Sequence, residues 1–586
     1  MSKQKELTGY PSIDKPWLKY FDEELLKKPL PKCTVYQNIY ENNKEYLNDT
    51  AIQYFGNKIS YAGLFENVET VAKALKASGV QKGEVVNICT AGIPEAIYLM
   101  LACNRLGTLA NFINPLFTPE QMSQRLAETE SSRIFVMDAV YEMIEEALKR
   151  TKMKEVILLS SAASLSSVAG LVSGARKKSK RILKDKASAE IHLISWEDFL
   201  RRGNDISDIS DEPYVADTPA IMVYSSGSTG ASKGIVLTND GINATIANYD
   251  NPRVFPYQRG NTFLQMIPIW FSTGIVLSIL MPLRMGSTVI LEPQFSKESF
   301  AQDLAKYKPT MTLAATSLWK YVIQAKECRK ADFSSVVIPV QGGEKLLSRE
   351  EKQLDEFLSR HNCKSSIICG YGMCELGSTI ATAIPRSHKD KLGGNGYPIL
   401  NAIVAAFDLG TNKELKYGEH GELRVISPAR MKGYYKNEVA TDAFFYTDEQ
   451  GRTWGCTGDI GYVDEDGEVF VLGRATDSAT LDSGKKVYLF DIEDVILQEE
   501  SLSGCKVVAT KENGKTVLAA HMTVRSEVSY DEQSLAQKIH ENCKKNLPAD
   551  EVPTKYKFRD AFPVHPNGKR DNDALRQEKD GVVVIE

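Results

Sequence analysis

The sequence predicts an α/β protein of more than one domain, with helices covering largely parallel sheets. Three observations lead there. Strand-length apolar runs alternate with helical periodicity through the first third of the chain. Past Leu415 the pattern changes to short alternating runs and turns, and past Arg474 to a smaller unit that mixes strands with helices. At 586 residues the chain exceeds what one hydrophobic core supports.

In order along the chain, the turn Gln81-Lys82-Gly83 leads into a strand at 84–88. Residues 94–106 have helical spacing, and the prolines Pro115 and Pro119 close that unit. Strands are expected at 133–137, 155–159 and 191–194. Residues 160–189 break the pattern with Ser, Ala and Lys, and with a basic cluster of Arg176, Lys177, Lys178, Lys180, Arg181, Lys184 and Lys186. They read either as a solvated surface insertion or as a helix lying weakly on an anionic membrane, with Leu171, Val172, Ile182 and Leu183 on its apolar side. The apolar run 263–283 has bilayer-spanning length, but Gln265, Pro268, Ser272, Gly274 and Pro282 interrupt it. A buried strand, turn and helix is expected instead. Asp466-Gly467 marks a hairpin, helices are expected at 491–499 and 530–545, and the domain boundary falls at 474–477.

Composition excludes several classes. A net charge of -5 supplies no global field for nucleic acid. The N-terminus lacks the apolar stretch of a signal peptide. Ten dispersed cysteines without a C-x-x-C pair, and seven scattered histidines, form no zinc pattern and fit a reducing cytoplasm.

The chemistry starts at Ser225-Ser226-Gly227-Ser228-Thr229-Gly230-Ala231-Ser232-Lys233, between two apolar strand-like runs. Glycines permit close backbone approach to a ligand, and consecutive N–H groups in such a loop make an anion nest. The hydroxyls and the Lys233 ammonium suit phosphate. A Walker loop has Gly before its lysine and Ser or Thr after it; here Ser232 precedes and Gly234 follows.

This loop, with four further motifs in order, resembles the adenylate-forming superfamily of acyl-CoA synthetases, free-standing adenylation enzymes and luciferases. The match runs from about residue 59 to 576. In Gly370-Tyr371-Gly372-Met373-Cys374-Glu375 the resemblance implies a tyrosine on adenine and a glutamate holding Mg²⁺; upstream, Gln341-Gly342-Gly343-Glu344 resembles the loop on the other adenine face. Cys374 stands where Thr or Ser is usual and Cys369 where a polar side chain is usual. Asp459 is implied to grip the ribose hydroxyls, with Arg474 beside it. Lys569, in Pro566-Asn567-Gly568-Lys569, is implied to reach the reacting carboxylate, and Thr229 and Lys233 to serve the phosphates.

The same resemblance implies a fold. Residues 1–473 would hold two parallel-sheet α/β subdomains and a small β-barrel, 474–477 a hinge at Thr476, and 478–586 a small mobile α+β domain. It implies activation of a fatty or aryl acid with ATP, then transfer to coenzyme A. Expected pocket residues are Trp270, Phe271, Ser272, Ile275, Thr316, Gly343 and Met373, with Phe271 and Gly484 along the thiol tunnel. No acid follows Trp270-Phe271, which disfavours an α-amino acid substrate. Thr476, Thr480, Leu489 and Asp491 depart from the usual hinge segment, and Gly484 comes one residue late, so thiolation is less firmly implied than adenylation. A carrier-protein phosphopantetheine thiol is the alternative acceptor. A degenerate, non-catalytic, membrane-tethered binding protein is the reading of another class.

Overall fold

The computed structural model describes every residue except 1–6, 166–177, 185–190, 226–231, 253–254, 294–295, 385–391, 526–527, 564–570, 579 and 586. Two large sheets dominate. One has eight strands: Val85–Cys89, Leu109–Phe112, Arg133–Met137, Glu155–Leu159, His192–Ser195 and Pro219–Tyr224 are parallel, and Gly234–Thr238 and Gly433–Tyr434 add antiparallel at one edge. The other has nine, with Thr50–Tyr54, Thr262–Gln265, Thr288–Leu291, Met311–Ala314, Ile338–Gly342 and Ile368–Tyr371 running parallel. Their residues are buried almost throughout, as strands covered on both faces require. Pro94 opens the helix Pro94–Arg105 at a position where its missing N–H costs nothing.

The expected elements form, with ends shifted by up to three residues. The 263–283 run becomes the strand Thr262–Gln265, a turn, the π-helix Thr273–Leu280 and the short helix Met281–Arg284. The Asp466-Gly467 turn joins Thr453–Val463 to Val469–Arg474, which pair antiparallel. These two strands with Ile403–Phe407, Gly421–Ile426 and Phe445–Thr447 make a five-stranded antiparallel sheet. Among the described residues its pairings leave it open and do not close a barrel.

Beyond the turn in which Asp477 N–H donates to the Arg474 carbonyl at 2.9 Å, the chain builds a separate core. That cluster draws only on residues from Ala479 to Ile585. It packs the helices Leu489–Ile496 and Glu532–Asn546 on a four-stranded sheet.

The described part of the basic insert, residues 178–184, is helical. Ile182 is 4% exposed and Leu183 packs on the main core, so these two apolar side chains face the protein and are not free to meet a membrane. Lys178 and Arg181 pair with Glu142. Arg176 and Lys186 lie outside the described residues. No described helix is long and apolar enough to cross a membrane.

Candidate active site

In open parallel sheets ligands sit at the carboxyl ends of the strands. Several of the residues singled out in the sequence lie at such strand ends or beside them. Gly342 and Gly370 end neighbouring strands and lie opposite each other in register. Gly343 turns the chain in the left-handed region, φ +82°, where glycine is unstrained. The loop is held from behind. The Gln341 amide donates to Thr316 Oγ1 at 2.7 Å and to the Glu344 carbonyl at 2.6 Å. The Glu344 carboxylate accepts from Ser317 N–H at 2.8 Å and its hydroxyl at 3.1 Å, at the start of the helix Thr316–Gln324. The Glu344 side chain and the Thr316 hydroxyl are therefore engaged in positioning the loop.

On the next strand, Tyr371 donates its hydroxyl to Asp459 Oδ2 at 2.6 Å. Asp459 Oδ1 pairs with Arg474 Nε at 2.8 Å, its register partner on the adjacent strand. Thr457 completes the group: its Oγ1 accepts from Asp459 N–H at 3.0 Å and its carbonyl from Arg474 at 3.1 Å. Burial and the Asp459 charge hold the Tyr371 phenol well above its ordinary pKa, so it remains a donor. Met373 and Cys374 are half-buried beside this group, and burial pushes the Cys369 thiol up.

The phosphate-type loop leaves Pro219–Tyr224 and returns through Gly234–Thr238. Its neck is tied by Ser225 N–H to the Lys233 carbonyl at 2.9 Å, Lys233 N–H to Ser225 Oγ at 3.0 Å, and Ser232 Oγ to the Ser225 carbonyl at 2.6 Å. Ser226, Gly227, Ser228, Thr229 and Gly230 lie outside the described residues. Lys233 Nζ sits 4.4 Å from the Tyr434 ring centroid. Tyr434 in turn donates to Glu375 Oε1 at 3.0 Å. Glu375 is 8% exposed, and Met431 N–H donates to its carbonyl at 2.8 Å. The stretch Gly433-Tyr434-Tyr435 is not among the site motifs read from the sequence. Its pairing with the strand after the loop carries Tyr434 to Lys233.

The described residues contain no group of three or more His, Cys, Asp or Glu suited to a metal. The buried Glu375 carboxylate beside a phosphate-type loop fits Mg²⁺ all the same, because Mg²⁺ on nucleotide phosphates takes one or two protein carboxylates.

Trp270 and Phe271 are half-buried, with ring centroids 6.3 Å apart, and Ser272 is buried. Ile275 lies among apolar side chains, Ile93 and Phe112 included, that leave no room for a water molecule. Phe263, Leu277, Met281, Leu313 and Val340 line a small apolar space of about 30 Å³ between the helix and the sheet. Sequence reasoning named none of these five. The four-residue spacing of Leu277 and Met281 on one helix was the available signal.

Lys569 lies outside the described residues; the chain on either side of it is joined by Asp571 N–H to the Pro563 carbonyl at 2.8 Å. Gly484, φ +82°, is at a hairpin tip on the small lobe. Its neighbours Ser483 and Lys485 bond Asp550 and Glu551 of the same lobe. Thr476 is exposed within the 474–477 turn.

The chain is an α/β protein with a second, smaller core past residue 477 and candidate site residues where parallel strands end. The sequence profile of AMP-binding enzymes matches residues 39–435, and the chain belongs to that family. It is 23% identical over 563 residues to a long-chain-fatty-acid–CoA ligase of Bacillus subtilis, covering 95% of this chain and 96% of the relative. It is 23% identical over 520 residues to 4-coumarate–CoA ligase CCL1 of Humulus lupulus, covering 88% of each. Among solved structures, ATP-bound MatB from Rhodopseudomonas palustris superposes with a TM-score of 0.77 at 20% identity, over 93% of this chain and 99% of that one. The anthranilate CoA ligase AuaEII with anthranoyl-AMP gives 0.76 at 19%, over 94% and 98%.

Proposed function

We propose that this chain activates a carboxylic acid, fatty or aryl, with ATP and passes the acyl group to the thiol of coenzyme A. The observation that carries this reading is the paired arrangement at the strand ends: Tyr371, Asp459 and Arg474 on one side, Lys233, Tyr434 and Glu375 on the other. The first group offers a ring face and a carboxylate of the kind that holds adenine and ribose. The second offers charge of both signs for a triphosphate.

In the first step a carboxylate oxygen attacks the α-phosphorus, the bond to the β-phosphate oxygen breaks, and pyrophosphate leaves. Lys233 and the hydroxyls of the loop hold the phosphates, and Lys569 bridges the carboxylate and the α-phosphate. Glu375, kept in place by Tyr434, would hold Mg²⁺, which supplies Lewis-acid neutralisation of phosphate charge. Positioning and preorganised charge do most of the work. In the second step the thiol sulfur attacks the acyl carbon, its proton passes to solvent, and AMP leaves. Residues 1–473 form the large lobe, 474–477 the hinge and 478–586 the lobe that brings first Lys569 and then the Gly484 hairpin to the cleft.

The test is pyrophosphate release from ATP across a panel of fatty and aryl acids, with nucleotide products resolved. AMP and acyl-CoA are expected once coenzyme A is added; ADP as the product would end the proposal. Lys569→Ala is expected to slow adenylation by about 10²–10³-fold, the cost of one preorganised stabilising donor. An unchanged pyrophosphate-exchange rate in that variant would remove Lys569 from the mechanism.

A further inference from the structure

Tyr434 stands between two charged side chains of the site, and its place is fixed from both sides. The strand Gly433–Tyr434 pairs antiparallel with Gly234–Thr238, which sets Tyr434 opposite Ile235, two residues past Lys233. Lys432 N–H donates to the Val236 carbonyl at 2.8 Å, and Tyr435 N–H to the Gly234 carbonyl at 2.7 Å. From the same short stretch, Met431 N–H donates to the Glu375 carbonyl at 2.8 Å. Residues 431–435 thus fasten the exit of the phosphate-type loop to the backbone of Glu375. The Tyr434 N–H donates to the Thr441 hydroxyl at 2.9 Å. The Phe444 ring meets the Tyr434 ring edge-on, at 80° with centroids 6.2 Å apart. Tyr434 is buried, so its side chain has little freedom to turn away.

The two parts of this phenol meet opposite charges. The Lys233 ammonium lies over the ring, 4.4 Å from its centroid, and the hydroxyl donates to Glu375 Oε1 at 3.0 Å. Without the ring, ammonium and carboxylate could close on each other, and the ion pair would neutralise both before a nucleotide arrived. A ring face holds a cation more weakly than a carboxylate or a phosphate does, so the ammonium stays available to phosphate. A hydrogen bond to one carboxylate oxygen fixes the orientation of the group and leaves acceptor capacity for a cation.

We infer that Tyr434 is a positioning residue with two separable duties: its ring keeps Lys233 off Glu375, and its hydroxyl orients Glu375 toward Mg²⁺. This role rests on the ATP-dependent function proposed above. The experiment is calorimetric titration of the full chain with ATP, once in EDTA and once in excess Mg²⁺. The ratio of the two Kd values is the Mg²⁺ enhancement. Tyr434→Phe keeps the ring and removes the hydroxyl. It is expected to cut the enhancement about tenfold, with the Kd in EDTA close to that of the wild type. Tyr434→Leu removes both parts and is expected to weaken binding in EDTA as well, about fivefold, as Lys233 is drawn to Glu375. In a Glu375→Gln background, Tyr434→Phe is expected to change the enhancement no further, because the hydroxyl acts through that carboxylate. Thermal melts verify that each variant is folded; Tyr434→Phe, which preserves the packing on Phe444, decides the matter if the leucine variant does not fold. A wild-type enhancement near one, an undiminished enhancement in Tyr434→Phe, or the same further loss in the Glu375→Gln background overturns the hydroxyl's duty. A folded Tyr434→Leu that binds ATP in EDTA as the wild type does overturns the ring's duty. Each of these results leaves ATP-dependent activation standing, whereas a wild type that binds no ATP in either condition overturns the proposed function itself.

Discussion

The Tyr371 hydroxyl and Asp459 form one of the shortest bonds in the site, at 2.6 Å, and Asp459 is 5% exposed. Removing the hydroxyl leaves a buried carboxylate oxygen one donor short. Tyr371→Phe is expected to lower the melting temperature in the absence of nucleotide and to raise the Kd for ATP by about tenfold, roughly 1.4 kcal/mol; thermal unfolding and nucleotide titration check it. A second residue matters for stability and not for chemistry. Glu95 is 1% exposed; its Oε1 accepts from Ser164 at 2.6 Å and its Oε2 has no partner among the described residues. Burial pushes its carboxyl up to about 7. A folded-state value above the unfolded one means the native protein holds its proton more tightly. The stabilisation is complete below about pH 4.5 and is lost as pH rises through 7. Relative to Glu95→Gln, the wild type is expected to lose about 2–3 kcal/mol of unfolding free energy between pH 5 and 8, measured by urea titration at each pH. Lys233, Glu375, Asp459 and Arg474 were legible in the sequence because each sits in a short motif whose chemistry is local. Tyr434 was not, because it reaches Lys233 only through a strand pairing across about two hundred residues.

Elements carry their own consequences. Past the hinge, Lys506 is 6% exposed and reaches Asp477 at 2.9 Å and Glu493 at 3.1 Å. Burial alone lowers the pKa of its ammonium, but the two carboxylates outweigh that and hold it above its ordinary value. Burial raises the pKa of the Glu493 carboxyl even so. Lys506→Ala would strand two carboxylates, and is expected to destabilise the small lobe by about 3–5 kcal/mol in urea unfolding of the full chain. The strands and the two small-lobe helices were readable from periodicity, since alternation and 3.6-residue spacing depend on near neighbours only. The π register of residues 273–280 was not, since it depends on which carbonyls find donors once the helix is packed.

At the scale of the molecule, two sets of polar contacts among the described residues tie the smaller C-terminal unit to the larger one. Lys345 Nζ meets Asp494 at 2.9 Å, and Arg349 donates to the carbonyls of Leu497 and Leu502 at 2.8 and 2.9 Å. The first is an exposed pair worth little; the second comprises two charge-assisted bonds in a half-buried setting. Arg349→Ala is therefore expected to accelerate proteolytic cutting at 474–477 by about tenfold, and Lys345→Ala hardly at all, in a timed digest of the intact chain. What the sequence determined by itself was the inventory of reacting groups, their order and the α/β layering, because motifs and periodicities are short-range properties. Only the tertiary structure decided that Tyr434 braces Glu375 and that Glu344 serves a helix start. Such contacts join side chains that packing brings together from distant stretches, and no single stretch encodes them.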